Sequence, residues 1–288
     1  MSGQSSKSVF ITGAAGGIGE VTARALAERG YVVFAGIHND VGALSGVDQI
    51  RAVPIDVTDP ASVAAAAEQV ALEVGDAGLH AVINNAGVIV QGPLELVPPD
   101  ELRRQFEVNT LGPAYVTQAF LPLLRRGGGR VVNISAPTAR VPVPLMAPIG
   151  ASKAALVSLS DALRSELAAW QIPVVVVEPG GTSTEIFAKA DTAARAGLAG
   201  ADPGQVALYR GHLDAFAKAA AKQKLGPADV VTRAIVQAVE ARRPKRRYAA
   251  GTGTRLFGFL SHLPAGIRDR LVSGAFGLSK VEAGARPI

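Results

Sequence analysis

The residues of this 288-residue chain that can do chemistry come in small groups set far apart. Gly13, Gly17 and Gly19 follow the apolar run VFIT and open a helical pattern. Glycines at such a turn let the main chain bend tightly and approach an anion, whose charge a helix N-terminus favours; a plain strand-to-helix turn is the alternative. Further along stand NNAG at Asn84–Gly87, a lone Asn109, Lys153 in the helical stretch SKAALVSLSDALRSEL, and PGGTST from Pro179. One helical turn before Lys153 is Ile149, a hydrocarbon that donates no proton. Cysteine is absent, which excludes disulfides, thiolate metal sites and cysteine nucleophiles, and four scattered histidines argue against a zinc enzyme.

The spacing TGxxxGxG, followed in order by NNAG, Asn109, Ser152-Lys153 and PGxxxT from Pro179 to Thr184, resembles the short-chain dehydrogenase/reductase family from about Val9 to Gly180. The resemblance implies a nicotinamide dinucleotide held by Gly13, Ala15, Gly17, Ile18 and Gly19. Asp56 and Val57 would meet adenine; Asn84, Asn85, Ala86 and Gly87 would form the floor; Pro179, Gly180, Thr182 and Thr184 would face the nicotinamide side. For Asp56 and Asn84, capping a helix or bracing strand ends is the competing reading. Lys153 would bind the ribose hydroxyls, and Asn109 would hold a helix kink and a water near the lysine.

Against the family's pattern, two polar groups are missing. The tyrosine expected four residues before the lysine is Ile149, and the serine expected thirteen residues before that is Ala136. The chain's tyrosines, at positions 31, 115, 209 and 248, lie far from Lys153 in sequence. The nearby hydroxyls are Ser135, which strand alternation turns to the opposite side, and Thr138, which a turn hydrogen bond explains equally well. Asn109, Lys153 and Ser135 are the expected catalytic set. An NAD site wants a carboxylate after the second strand and an NADP site wants basic groups. Those positions read Ile37 and His38, with Asn39 adjacent and Arg51 as a further candidate, so the expectation leans to NADP(H), with NAD(H) open.

Together these readings imply hydride transfer to a ketone without the usual acid, the proton coming from a substrate hydroxyl or water. Ala136, Pro142, Val143, Leu145, Met146 and Ile149 predict a roomy apolar pocket for a small-molecule ketone of polycyclic kind. On family grounds this is similar to bacterial natural-product reductases that act on polyketide ketones in antibiotic biosynthesis. A catalytically silent dinucleotide-binding protein and a non-redox lyase, cyclase or epimerase are the competing classes.

The elements that must position these groups alternate. VFITG, YVVFAG, VPIDV, LHAVINNAG, GRVVNIS and IPVVVVEPGG are separated by helical patterns, and RRYAAG offers a seventh strand. This predicts an α/β fold: a single Rossmann-type, doubly wound parallel sheet of six to seven strands in an α/β/α sandwich, one domain over residues 1–288. Alanine-rich residues 184–226 predict a helical lid, and residues 242–288 a C-terminal extension carrying RRPKRR and LFGFLSHLP, an apolar run that could touch a surface or partner. The formal charge of +5 gathers in that basic cluster, which reads as solvated, so no nucleic acid partner is expected. No apolar run is long enough to span a membrane, the start lacks a secretory pattern and the cytoplasm is expected. The helix around Lys153 permits a homodimer or homotetramer.

Overall fold

The seven short apolar runs form seven strands in the computed structural model, which describes residues 7–38 and 42–281. They are β1 (Ser8–Thr12), β2 (Val32–Ile37), β3 (Ile50–Pro54), β4 (Ala81–Asn84), β5 (Arg130–Ile134), β6 (Val174–Pro179) and β7 (Arg247–Ala250). All pair in parallel in one sheet, in the order β3-β2-β1-β4-β5-β6-β7. Continuous β-branched runs such as VVVV in β6 suit a sheet covered on both faces. One cover is α1 (Gly17–Ala27) with α8 (Ala228–Glu240). The other is α2 (Pro60–Val74), α4 (Gly112–Gly127) and α5 (Ala147–Glu166), where Phe10 stacks on Phe120 at 4.2 Å between ring centroids. The strand order reverses between β1 and β4, and folds of this type take ligands in the crevice beyond the strands' carboxyl ends at such a point.

One strand differs from the sequence expectation. β3 occupies Ile50–Pro54 instead of VPIDV, because Pro54 brings no N–H to the ladder and Asp56 turns its carboxylate back onto the Thr58 amide at 2.9 Å. Asp56 therefore sits beyond a strand end. Between β4 and β5, α3 (Pro99–Phe106) runs through a π turn at Glu107–Leu111 into α4. The extension after residue 242 begins inside the core, with β7 as the sheet's edge, before α9 (Thr254–Leu260) and α10 (Ala265–Ala275). The alanine-rich segment forms α6 (Ile186–Gly200) and α7 (Pro203–Ala221).

Candidate functional site

The glycine turn is built for close approach. Gly13 and Gly17 have φ of +62° and +51°, values that side-chain-bearing residues avoid. A Cβ on Gly13 would stand 2.9 Å from the Ala86 Cα, and one on Gly19 would strike the Gly13 carbonyl and lie 2.7 Å from Asn85 Nδ2. The turn is stitched to the β4 loop: Thr12 Oγ1 accepts from the amides of Asn85 and Ala86, both at 3.0 Å, while Asn85 Nδ2 donates to the carbonyls of Thr12 at 3.0 Å and Gly13 at 3.1 Å. Helix α1 starts with no side-chain cap on its first N–H groups, and Ala15 and Ile18 pack partly buried beside it. A pyrophosphate fits a turn where a Cβ on Gly13 or Gly19 would collide and whose helix end has no side-chain cap. From the far side, Thr184 closes on the turn, its methyl 3.0 Å from where a Gly17 Cβ would be. The segment Pro179–Thr184 is fixed by Thr182 Oγ1 donating to Gly180 O at 2.8 Å and by Ser183 N to Gly226 O at 2.8 Å.

The residues expected on the adenine side follow β2 and β3. His38 Nε2 is 3.4 Å from Asp56 Oδ2, and Thr58 Oγ1 donates to Asp56 Oδ1 at 2.7 Å. Burial pushes the Asp56 carboxyl up, but the Thr58 amide and hydroxyl and His38 outweigh it and leave it below its usual range. Arg51 does not join His38; it pairs with Glu73 and lies over the Phe34 ring at 5.9 Å. Asn39 lies outside the described residues. Val57 is buried in the core against Gly112.

At the other end Lys153 is buried on α5 and its Nζ donates to the Ile134 carbonyl at 2.7 Å. Burial drops the ammonium from 10.5 to about 8. A Cβ on Gly87 would stand 3.7 Å from that Nζ and 3.4 Å from Asn109 Oδ1, so Gly87, Asn109 and Lys153 converge. Asn109, in the π turn, clamps Val88: Oδ1 accepts from the Val88 amide and Nδ2 donates to its carbonyl, both at 2.9 Å. Ile149 is buried one turn before Lys153. Ser135 donates to the Lys153 carbonyl at 3.4 Å, which commits its hydroxyl to bracing α5 and not to the space beside Ala136. The Thr138 hydroxyl is buried with no partner among the described residues, which departs from the turn hydrogen bond expected of it. Its carbonyl lies 3.2 Å from where a Gly150 Cβ would be, placing Thr138 against the start of α5.

Asn84 belongs to the core and not to the floor. Its Nδ2 donates to Asn133 Oδ1 at 2.8 Å and Thr117 Oγ1 at 3.1 Å, tying β4 to β5 and α4. The sequence reading also passed over Gln105, which is fully buried: Oε1 accepts from Val90 N at 2.6 Å, and Nε2 donates to Val88 O and Ser152 Oγ, both at 3.1 Å. It joins the substrate-side segment to α5, and the available signal was an uncharged amide on a helix whose other polar groups are charged.

Helices α6 and α7 lie against residues 90–101. Tyr209 of α7 donates to Glu95 at 2.7 Å, and the crevice between α6 and residues 90–101 encloses about 20 Å³, room for a single water. The loop after β5 is less open than expected. Val143 is buried with Val141 in a small cluster with Leu260 of α9 and Val272 of α10, and Met146 and Phe216 pack against it. Beneath it lies Glu178, fully buried, which accepts from Arg140 at 2.6 and 3.2 Å and from Arg247 at 2.7 Å. Arg140 also reaches Ser261 Oγ at 3.2 Å. Arg247 thus leaves the basic cluster to serve the core, while Lys245 and Arg246 border an open cleft of about 320 Å³ at the amino ends of β6 and β7, the edge opposite the glycine turn. Among the described residues no group of acids and histidines could hold a metal, and no helix is long and apolar enough to cross a membrane.

Comparison with known proteins agrees with this geometry. Residues 7–195 match the short chain dehydrogenase family. Estradiol 17-beta-dehydrogenase 2 of Rattus norvegicus is 38% identical over 197 residues, 65% of this chain and 51% of that protein, so the match spans about half its length. The NADPH-dependent 3-dehydrocapnine reductase of Ornithobacterium rhinotracheale is 31% identical over 277 residues, 92% of this chain and 94% of the relative. A short chain dehydrogenase from Burkholderia cenocepacia in complex with NADP superposes with a TM-score of 0.74 and 25% identity, covering 93% of this chain and 98% of that one.

Proposed function

Because the chain belongs to the short-chain dehydrogenase family, we propose that it is an NAD(P)H-dependent ketoreductase that works without a tyrosine acid on a bulky, apolar ketone of polycyclic, polyketide type. The observation that carries this reading is the convergence of Gly87, Asn109 and Lys153 beside a buried hydrocarbon, Ile149. Everything that would hold the nicotinamide end is kept, and the group that would hand over a proton is not.

When bound, the dinucleotide supplies a hydride to the carbonyl carbon. The chain's own residues supply position and charge. The turn at Gly13–Gly19 holds the pyrophosphate, Lys153 the ribose hydroxyls, and the segment Pro179–Thr184 the carboxamide side. Asn109 and Gln105 fix Val88 and Val90, so the substrate-side main chain does not drift. We assign the role of polarising the substrate oxygen to Thr138, whose buried hydroxyl has no partner among the described residues, and not to Ser135, which is engaged with the Lys153 carbonyl. The final proton comes from a phenolic hydroxyl flanking the ketone or from water, since no side chain beside Ile149 delivers one. We assign a modest preference for NADP(H) over NAD(H): His38 follows β2, yet Asp56 beside it and the diversion of Arg51 to Glu73 keep that preference small. Exposed Leu111 of the π turn before α4 and exposed Leu159 of α5 support a homodimer or homotetramer through this side of the molecule.

The test is a panel of ketones with and without a neighbouring phenol, offered with NADPH and NADH while cofactor absorbance and product mass are followed together. Loss of absorbance matched by a product two mass units heavier supports the reading. A changed product at constant absorbance would instead point to a lyase, cyclase or epimerase. Tight NADPH binding with no turnover would point to a silent binder, the class that the hydrocarbon at Ile149 also favours.

A further inference from the structure

The last two helices present opposite characters on their two faces. Inward, Leu260, Val272, Phe257 and Phe276 close the small cluster with Val141, Val143 and Met146 of the substrate-side loop. Outward, Leu256 and Phe259 of α9 and Ile267 and Leu271 of α10 are each half exposed or more. On α10 the exposed pair lies at i and i+4 with Arg270 between, and on α9 the pair lies at i and i+3 beside Arg255, so each helix carries an apolar stripe edged by guanidinium. From Thr254 to Lys280 there are four cations and a single carboxylate, Asp269, which Arg268 engages at 3.2 Å. Among the described residues neither Arg255 nor Arg270 forms an ion pair.

We propose that this face docks the protein on an anionic lipid surface, with the four apolar side chains entering the boundary between headgroups and acyl chains and Arg255 and Arg270 meeting lipid phosphates. Apolar side chains flanked by cations on surface helices, none able to span a bilayer, are the pattern of interfacial binding. Charge separates a lipid occupant from a second copy of the chain. An isologous contact would bring these unpaired arginines together in the apolar seam, where like charges repel, whereas anionic headgroups complement them. The inner faces of the same helices cover the substrate-side loop, so the docked face and the proposed pocket lie at one end of the molecule, and an apolar substrate dissolved in the bilayer has a short path. That last link rests on the apolar-ketone reading; the docking does not.

The experiment is co-sedimentation of the full chain with vesicles of phosphatidylcholine alone or mixed with phosphatidylglycerol, read without turnover. Wild type is expected to bind the anionic vesicles and to be released by salt. Replacing Leu256, Phe259, Ile267 and Leu271 by Ser should weaken binding by about 100-fold, since each side chain, already about half buried, contributes about threefold. Arg255→Gln with Arg270→Gln should cost about fivefold per cation on anionic vesicles and nothing on neutral ones. These positions are exposed, so both variants should keep the wild-type melting curve, which is measured alongside. No binding of wild type, or equal binding by either variant, overturns the proposal. So does a dimer in size-exclusion chromatography that the serine variant converts to monomer, since a second copy then covers the face. Ketone reduction is assayed in vesicle-free buffer, so either reading can fail while the other stands.

Discussion

Restoring the proton donor tests the arrangement around Lys153 most directly. Ile149→Tyr with Ala136→Ser places a phenol one helical turn before an ammonium that burial already holds at about 8. A phenol beside that cation has its anionic form favoured, so it gives up its proton more readily than free tyrosine. General acid catalysis is worth about 10²- to 10⁴-fold, or roughly 3 to 5 kcal/mol of barrier. Against this, enlarging a buried side chain costs about 1 to 3 kcal/mol of stability, which lowers the melting temperature without entering the rate of folded enzyme. For a ketone with no neighbouring hydroxyl, kcat should rise about 10²-fold. For one flanked by a phenol it should change little, because that substrate brings its own acid. Adding Lys153→Met to the double variant should cancel the gain, making the effect non-additive. Steady-state rates on the two ketones at saturating NADPH read all of this. If both rates move together, or neither moves while the variant stays folded and binds NADPH, Ile149 is not beside the reacting oxygen.

Other substitutions probe the frame. Gly19→Ala drives a methyl into the Gly13 carbonyl, and NADPH affinity by calorimetry should fall by more than tenfold, with a smaller loss for Gly16→Ala, where a Cβ meets nothing within 4 Å. Glu178→Gln leaves two guanidinium groups facing a neutral amide in a buried site and should cost about 3 kcal/mol in urea unfolding; a loss below 1 kcal/mol would show the triad to be solvated. The Lys153 ammonium gives stability a pH dependence of definite sign. Its folded pKa is below its unfolded value, so between about 8 and 10.5 the unfolded chain holds a proton that the native chain has released. Stability of the dinucleotide-free protein should therefore rise with pH across that window, by up to about 3 kcal/mol relative to Lys153→Met. A constant difference between the two proteins from pH 7 to 10 would refute it.

The sheet was legible because parallel strands buried on both faces appear as short apolar runs, and RRYAAG kept enough of that pattern to mark β7. The site was legible where main-chain geometry forces a residue type, as at Gly13, Gly17 and Gly19. It was less so where a polar side chain has a choice. Asn84 and Asn85 are neighbours with the same side chain, yet one braces the core and the other ties the loop to the glycine turn, because β4 ends at Asn84 and Asn85 is already in the loop beyond it. Gln105 and Arg140 escaped notice because their partners are 47 and 38 residues away in the chain, a separation no local pattern encodes. The helices of the alanine-rich segment follow from its composition, but their closeness to residues 90–101 follows from tertiary packing through Pro98 and Gly197, not from periodicity.

The ion triad at Glu178 also bears on how the chain folds as it is made. Of its two cations, Arg140 is synthesised before Glu178, and Arg247 comes 69 residues after it. Until β7 emerges, closing the sheet over β6 would bury a carboxylate with half its compensation, which disfavours the closed state. The last strand therefore completes the core electrostatically: Glu178 of β6 is compensated on both sides only once β7 brings Arg247 to it.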